Sequence, residues 1–339
     1  MKEIRNNARE MMKGFCRVCP VCDGRACAGE VPGMGGLGSG RAFGANLEAL
    51  ARYRLNMRLL HDVETPDTRA TILGKTLSMP VLAAPIGGVS FNMGGKVSEE
   101  AYIEAVVGGC VDEGTLAGVG DGVPDFIHQA GYAAIKAHAG VGIPFIKPWE
   151  TAEFETKLDK ALATGAGLIG MDIDAAGLIT LKLMGRPVTP KSPQKLREIV
   201  SRVPGKFILK GVMTVADAQA SVAAGVHAIV VSNHGGRVLE HTPGAAEVLP
   251  EIARAVKGRI TILADGGVRS GGDVLKLLAL GADAVMIGRP IAVAAVGGLR
   301  EGVRKYLQQI RSELTAAMVL TGTADASNVS ADILRPTGY

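Results

Sequence analysis

His234 and Arg237 stand three residues apart in IVVSNHGGR (229–237), where a run suited to a buried β-strand ends on an imidazole, two glycines and a guanidinium. Imidazole titrates near neutrality and can serve as a base. A guanidinium offers a carboxylate two parallel N–H donors. Other apolar runs end in the same manner. GLIGMDID (167–174) delivers Asp172 and Asp174, and KFILKGV (206–212) carries Lys210. ITILADGGV (260–268) ends on Asp265, Gly266 and Gly267 with Arg269 just beyond, and AVMIGRP (284–290) ends on Gly288 and Arg289. Any one of these reads as a satisfied ion pair or a helix N-cap. Together they place a base, carboxylates and cations at corresponding points of successive elements. The last two turns join glycine backbone, whose N–H groups a ligand can approach closely, to two arginines. That combination predicts a phosphate site.

The elements that must carry these residues repeat one plan from residue 80 onward: apolar run, glycine turn, helical stretch. The remaining runs are PVLAAPIG (80–87), TLAGVG (115–120), PFIKPW (144–149) and AIVVSNHGG (228–236), with AAIKAHAG (133–140) an extra strand candidate that has no place in the series. Strands apolar on both faces and alternating with helices imply a parallel sheet. Eight of them imply an α/β fold closed as a (β/α)8 TIM barrel, with the open doubly wound sheet as the competing architecture. ILKGVMTVADAQASVAAGVHAIVVSNHGG and ILADGGVRSGGDVLKLLALGADAVMIGRP share the plan as an internal repeat. A G-x-G-x-x-G occurs at Gly33, Gly35 and Gly38, but it follows Pro32 and a cysteine cluster rather than a strand, and reads as a linker or turn. Residues 1–79 are therefore expected to form a Cys/Gly-rich extension capping a barrel over 80–339.

Composition bounds the partners. With 47% hydrophobic and 4% aromatic residues the core is aliphatic, and 46 glycines suit many tight β-to-α turns. The net charge of +4, without a block of basic residues, favours small anions and argues against nucleic acid. Charges interrupt the first sixteen residues where a signal peptide needs an apolar core, and the longest apolar runs are far short of the ~20 residues that span a bilayer. A cytoplasmic protein without a membrane segment is expected.

The stretches TRATILGKTLSMPVLAAP, ILKGVMTVADAQASVAAGVHAIVVSNHGGR, VLPEI and ADGGVRSGGDVLKLLALGADAVMIGRP closely resemble the FMN-dependent α-hydroxy acid oxidases and dehydrogenases. This family includes glycolate oxidase, lactate oxidase and flavin-linked lactate dehydrogenase. The resemblance starts near Asn46, is dense over 206–290 and thin over 88–200. It implies FMN as cofactor, a small L-2-hydroxy acid as substrate, and a homo-oligomer, with a tetramer the expected size. It further implies that His234 is the base, that Asp174 supports its protonated form, and that Arg237 grips the substrate carboxylate. Lys210 would face the flavin edge that gains charge on reduction. Ser232 would contact the flavin, and Asp265, Gly266, Gly267, Arg269, Gly288 and Arg289 its ribityl chain and phosphate. The chain departs from the pattern in several places. CDGRACAGE (22–30) holds no tyrosine where the family has one, and Trp149 replaces a second active-site tyrosine. Lys147 stands where an amide would meet the flavin, and the loop after the fourth strand is short, with Arg186 read as a solvated arginine. Alternatives are another FMN barrel such as the type 2 isopentenyl diphosphate isomerases, or a flavin- or metal-dependent redox sensor.

Cys16, Cys19, Cys22 and Cys27 form C-x2-C-x2-C-x4-C. Such spacing lets one loop wrap a single centre, an iron–sulfur cluster or tetrahedral zinc. The bland reading is four reduced cysteines in a glycine-rich cap. A cluster would give reduced flavin a one-electron outlet and make the protein a dehydrogenase rather than an oxygen-consuming oxidase.

Overall fold

The computed structural model describes residues 1–186 and 188–337. Eight parallel strands close into a barrel: β1 (Val81–Ile86), β2 (Leu116–Val119), β3 (Ile143–Ile146), β4 (Leu168–Asp172), β5 (Lys206–Val212), β6 (Ala228–Val231), β7 (Thr261–Ala264) and β8 (Ala284–Ile287). Two helices precede them, α1 (Lys2–Met11) and α2 (Arg41–Ala51). One follows each strand: α3 (Glu99–Asp112), α4 (Asp125–Ala137), α5 (Thr151–Leu162), α6 (Pro193–Ser201), α7 (Val215–Ala223), α8 (Ala245–Val256), α9 (Gly271–Ala279) and α10 (Arg289–Thr321). The closed barrel is the architecture expected, and the open sheet is excluded. AAIKAHAG is not a strand; most of it is the last part of α4, and Ile135 and Tyr132 are buried among the helices.

The apolar strands divide by parity, as side chains of a strand alternate between its two faces. Leu82, Leu116, Phe145, Leu168, Ile208 and Val230 fill the barrel interior, while neighbours such as Ile169, Leu209 and Ile229 lie beneath the helices. An antiparallel hairpin (Ala70–Ile72 with Lys75–Leu77) joins the interior cluster through Ile72 and Leu77 and plugs the end of the barrel where the strands begin.

The extension is woven into the barrel. The α1 helix lies along α10, where Gly297 is needed because a Cβ would stand 2.1 Å from the Ile4 carbonyl oxygen. The strand Tyr53–Leu55 pairs with Leu334–Pro336 from the other end of the chain. The α2 helix packs on α8. Between α1 and α2, residues 12–40 run across the mouth where the strands end, bringing Met34 and Pro32 to the wall of the main cavity.

Candidate active site

Continuing the inward parity one step past the last apolar layer generates the polar floor of the mouth. Lys147 follows Phe145, Asp172 follows Leu168 and Gly170, Lys210 follows Ile208, Ser232 follows Val230, and Asp265 follows Leu263. Asp172 and Lys210 face each other in strict register across β4 and β5, and the Lys210 Nζ is 3.2 Å from Asp172 Oδ1. Both are buried.

Beyond the strands, two turns bring a histidine and a carboxylate to this floor. A short 3-10 helix (Ile173–Gly177) after β4 carries Asp174, and the loop after β6 carries His234 in the left-handed region at φ 56°. The His234 Nδ1 lies 3.0 Å from Asp174 Oδ1 and 3.3 Å from the Lys210 Nζ. One nitrogen cannot both donate to the carboxylate and accept from the ammonium. The Nδ1–H donates to the carboxylate, because the Lys210 charge is already drawn to Asp172, and Nε2 is left as the basic nitrogen. The His234 backbone N–H donates to Ser232 Oγ at 3.0 Å, and that hydroxyl donates to Asp265 Oδ2 at 2.9 Å. Ser232, expected against the flavin, braces the histidine loop.

The electrostatics follow from this crowding. Burial works against the Lys210 charge, yet Asp172, Asp174 and Asp265 outweigh it and hold its pKa above the ordinary lysine value. Burial likewise works against Asp174, but His234 and Lys210 outweigh it and hold this carboxyl below the usual range. Burial dominates at Asp265 and pushes its carboxyl up. Among the described residues, Asp172, Asp174 and His234 are the group whose ligand atoms come within 4.8 Å of one another as a metal would need. The Lys210 ammonium already stands beside that trio, so a cation is in place without a metal.

Three arginines meet at the other side of the mouth. Arg289 donates to the carbonyls of Met34 at 2.7 Å, Gly235 at 3.0 Å and Gly35 at 3.1 Å, with its guanidinium 4.2 Å from the centre of the Phe43 ring. Arg237 donates to the carbonyls of Gly33 at 2.6 Å and Gly35 at 3.0 Å and to Asn92 Oδ1 at 3.0 Å. Arg269 reaches the Cys22 carbonyl and Sγ, while its Nε is buried without a partner. No carboxylate lies within salt-bridge distance of any of the three among the described residues. Burial lowers Arg237 to about 10, and burial with the charges of Arg237 and Arg269 lowers Arg289 to about 9. Crowded guanidiniums without a counter-charge define an anion site.

The glycines of the cradle serve the turn as much as the ligand. Gly266 has φ 93°, and a Cβ there would stand 2.4 Å from Asn46 Oδ1 of α2. Gly236 has φ 78°, and its Cβ would stand 2.3 Å from the Phe43 nitrogen. The buried pair Asn46–Asn233, joined at 2.8 Å, fastens the histidine loop to α2. The G-x-G-x-x-G stretch is a turn, as expected, and the carbonyls of its first two glycines hold Arg237 and Arg289 in place.

Sequence reasoning missed Asn46, Asn92, Asn233 and Gly211. Gly211 is the most telling, since a Cβ at its φ of 103° would stand 2.5 Å from Asp174 Cγ. Its bulge in β5 makes room for the carboxylate behind His234. Trp149 does not present a hydroxyl substitute to the cavity: its indole N–H donates to Asp121 Oδ2 at 2.6 Å, and Lys157 lies over the ring. Lys147 does line the cavity, and Arg186 pairs with Glu153 away from it. The outer cavity wall is apolar, with Phe91, Ile127, Leu178, Leu181 and Met184.

The four N-terminal cysteines are free and half-buried, and share one loop. Burial pushes the Cys16 and Cys27 thiols up; Cys16 also feels the charges of Cys22 and Cys19, and Cys27 those of Cys22 and Cys16. They are neighbours, yet no three of their sulfurs meet within 4.8 Å.

A parallel (β/α)8 barrel with a histidine–carboxylate pair, a buried lysine and an anion cradle at its strand ends defines a phosphate-cofactor barrel enzyme. The chain belongs to the FMN-dependent dehydrogenase family, whose model matches residues 33–116 and 150–336. It is similar to 2-hydroxyacid oxidase 2 of Bos taurus, 31% identical over 319 residues covering 86% of this chain and 88% of that one. It is also similar to an L-lactate dehydrogenase of Pseudomonas paraeruginosa, 36% identical over 215 residues covering 58% and 55% of the two chains. Among solved structures, mandelate oxidase with benzoyl-formic acid superposes with a TM-score of 0.79 at 27% identity, covering 98% of this chain and 97% of that one.

The family's FMN fits the residues present. Its terminal phosphate would meet Arg269 and Arg289, whose charges lack an anion. The buried oxygen Asp265 Oδ1 has no hydrogen-bond partner in the protein and could accept from a polar group of the cofactor.

Proposed function

We propose that His234 is the base, and Arg237 the carboxylate clamp, of an FMN-dependent oxidation of a small L-2-hydroxy acid to its 2-oxo acid. The chain is an FMN-dependent oxidoreductase acting on 2-hydroxy acids; the assignment of its residues is the proposal. The carrying observation is the buried Asp174–His234–Lys210 cluster, which orients an imidazole with Nε2 free. FMN, when bound, would supply a two-electron acceptor; Arg269 and Arg289 would hold its phosphate, and Asp265, Gly266, Gly267 and Gly288 its ribityl chain. His234 takes the proton released from the substrate, and Asp174, charged throughout, stabilises the imidazolium that results. Lys210 places a fixed cation on the cavity floor, where it is worth most to charge that develops during the reaction. Arg237 is anchored by Gly33, Gly35 and Asn92, and no hydrogen bond holds its Nε–H among the described residues, which leaves that edge for a substrate carboxylate.

The test is anaerobic mixing of the flavin-loaded protein with a panel of 2-hydroxy acids while flavin absorbance is followed. Bleaching by hydroxy acids, lost in His234→Ala with FMN retained, is expected; equal bleaching in His234→Ala would overturn the base. The isomerase reading is not favoured, since an isomerase has no use for this base and clamp, and neither is the sensor. We further infer a homotetramer in the cytoplasm, with the four cysteines holding a metal centre. No helix among the described residues is long and apolar enough to cross a membrane. Light scattering at the monomer mass would refute the tetramer.

A further inference from the structure

We propose that Cys16, Cys19, Cys22 and Cys27 hold an iron–sulfur cluster of the four-iron type against the phosphate end of the FMN site. The location rests on the flavin reading above; the cluster itself does not.

The loop is built as a rigid object. Arg5 of α1 donates to the Cys19 carbonyl at 2.5 Å, and Arg9 donates to the Val18 carbonyl at 2.9 Å. The Arg17–Glu30 ion pair closes the loop at 2.7 Å, and the Met34 N–H returns to the Phe15 carbonyl at 3.2 Å. Regular structure within it is limited to the single 3-10 turn Arg25–Cys27. A solvated cap has no need of such anchoring. The family model matches from residue 33 onward, so the quartet lies outside the matched residues.

Two of the sulfurs meet N–H donors. The Val18 N–H points at Cys16 Sγ at 3.4 Å, and the Arg269 guanidinium reaches Cys22 Sγ at 3.6 Å. Hydrogen bonds to the sulfurs are among the contacts by which a protein holds and tunes such a cluster. Arg5 and Arg9 of α1 and Arg269 bring positive charge to the loop, which suits the negative charge of a four-thiolate centre.

Spacing selects the kind of centre. Tetrahedral zinc with bonds of about 2.3 Å draws its four sulfurs to within roughly 4 Å of one another. Zinc sites usually pair their cysteines as two separate C-x2–4-C arms, whereas this run keeps all four within twelve residues. C-x2-C-x2-C opens the bacterial cluster-binding run in the same way, and a cubane receives its thiolates at four separate corners.

The experiment uses the full chain, purified and reconstituted anaerobically with iron and sulfide, with iron, zinc, acid-labile sulfide and released FMN each quantified. About four irons and four sulfides per chain are expected, as in a single cubane, with a low-temperature EPR signal after dithionite reduction. The Cys19→Ser/Cys22→Ser variant should lose the iron and keep its FMN. One zinc per chain, or full FMN with no iron after reconstitution, would overturn the proposal, and the wild-type result stands even where the variant fails to fold. Iron and sulfide in a chain that takes up no FMN would sink the flavin reading and leave the cluster in place.

Discussion

Replacing Asp174 with asparagine tests the heart of the site. The substitution preserves shape and an acceptor oxygen toward His234 Nδ1, 3.0 Å away, and removes one charge. Coulomb's law at an effective dielectric of about 20 gives unit charges at that separation roughly 5 kcal/mol. The amide dipole keeps part of this, so a loss of about 2–3 kcal/mol of imidazolium stabilisation is expected, which is about 30- to 160-fold in rate. The direction is fixed by the neighbours. With the carboxylate gone, the Lys210 ammonium 3.3 Å from Nδ1 repels the imidazolium with only the more distant Asp172 and Asp265 to offset it. Stopped-flow reduction of the bound flavin by a 2-hydroxy acid measures the effect directly, with FMN content checked in the same sample. The limiting reduction rate should fall while KM changes little, because Arg237 is untouched. A variant that reduces its flavin within threefold of wild type would refute the pairing, and a loss confined to KM would move Asp174 into substrate binding.

Other outcomes follow from the same geometry. Gly211→Ala forces a Cβ to 2.5 Å from Asp174 Cγ at a φ of 103°, and should copy the Asp174→Asn rate defect while costing about 1–3 kcal/mol of stability in a urea titration; normal flavin reduction would show that the bulge does not position the carboxylate. Lys210→Met leaves Asp172, Asp174 and Asp265 buried without their cation, a loss of about 3–5 kcal/mol. Because the raised folded pKa of Lys210 makes its contribution fully present at any pH below the ordinary lysine value, the loss should appear at pH 8 and shrink toward pH 4 as the carboxylates protonate; a pH-independent loss would remove the ion cluster as its cause. Arg289→Gln should weaken FMN about 10- to 100-fold, the worth of one or two charge-assisted hydrogen bonds, and leave riboflavin binding nearly unchanged; equal weakening of both by equilibrium dialysis would place the phosphate elsewhere.

How much of this is legible in the sequence depends on the range of each interaction. The barrel and its chemistry are readable because both follow from local order. Apolar strands alternate with helices, and the residue at the strand end inherits the inward parity of the strand, as Lys210 does from Ile208 and Asp265 from Leu263. The site's supports are not readable, because they depend on contacts between distant segments. Nothing in the spacing of Gly33 and Gly35 says that their carbonyls meet Arg237, some 200 positions away. Nothing in Gly211 says that the space it leaves is filled by Asp174 rather than by solvent. Trp149 illustrates the opposite hazard, since its place in sequence suggests an active-site group, whereas its ring is buried and its N–H is held by Asp121. The division has a physical reason. Strand parity is enforced residue by residue by the pleat, while a loop's carbonyls point wherever the segment that crosses it demands. For the same reason the residues 12–40 that cross this mouth govern the arginines beneath them, and a change in that strap should be felt first as altered grip on substrate and phosphate rather than as a change in the barrel.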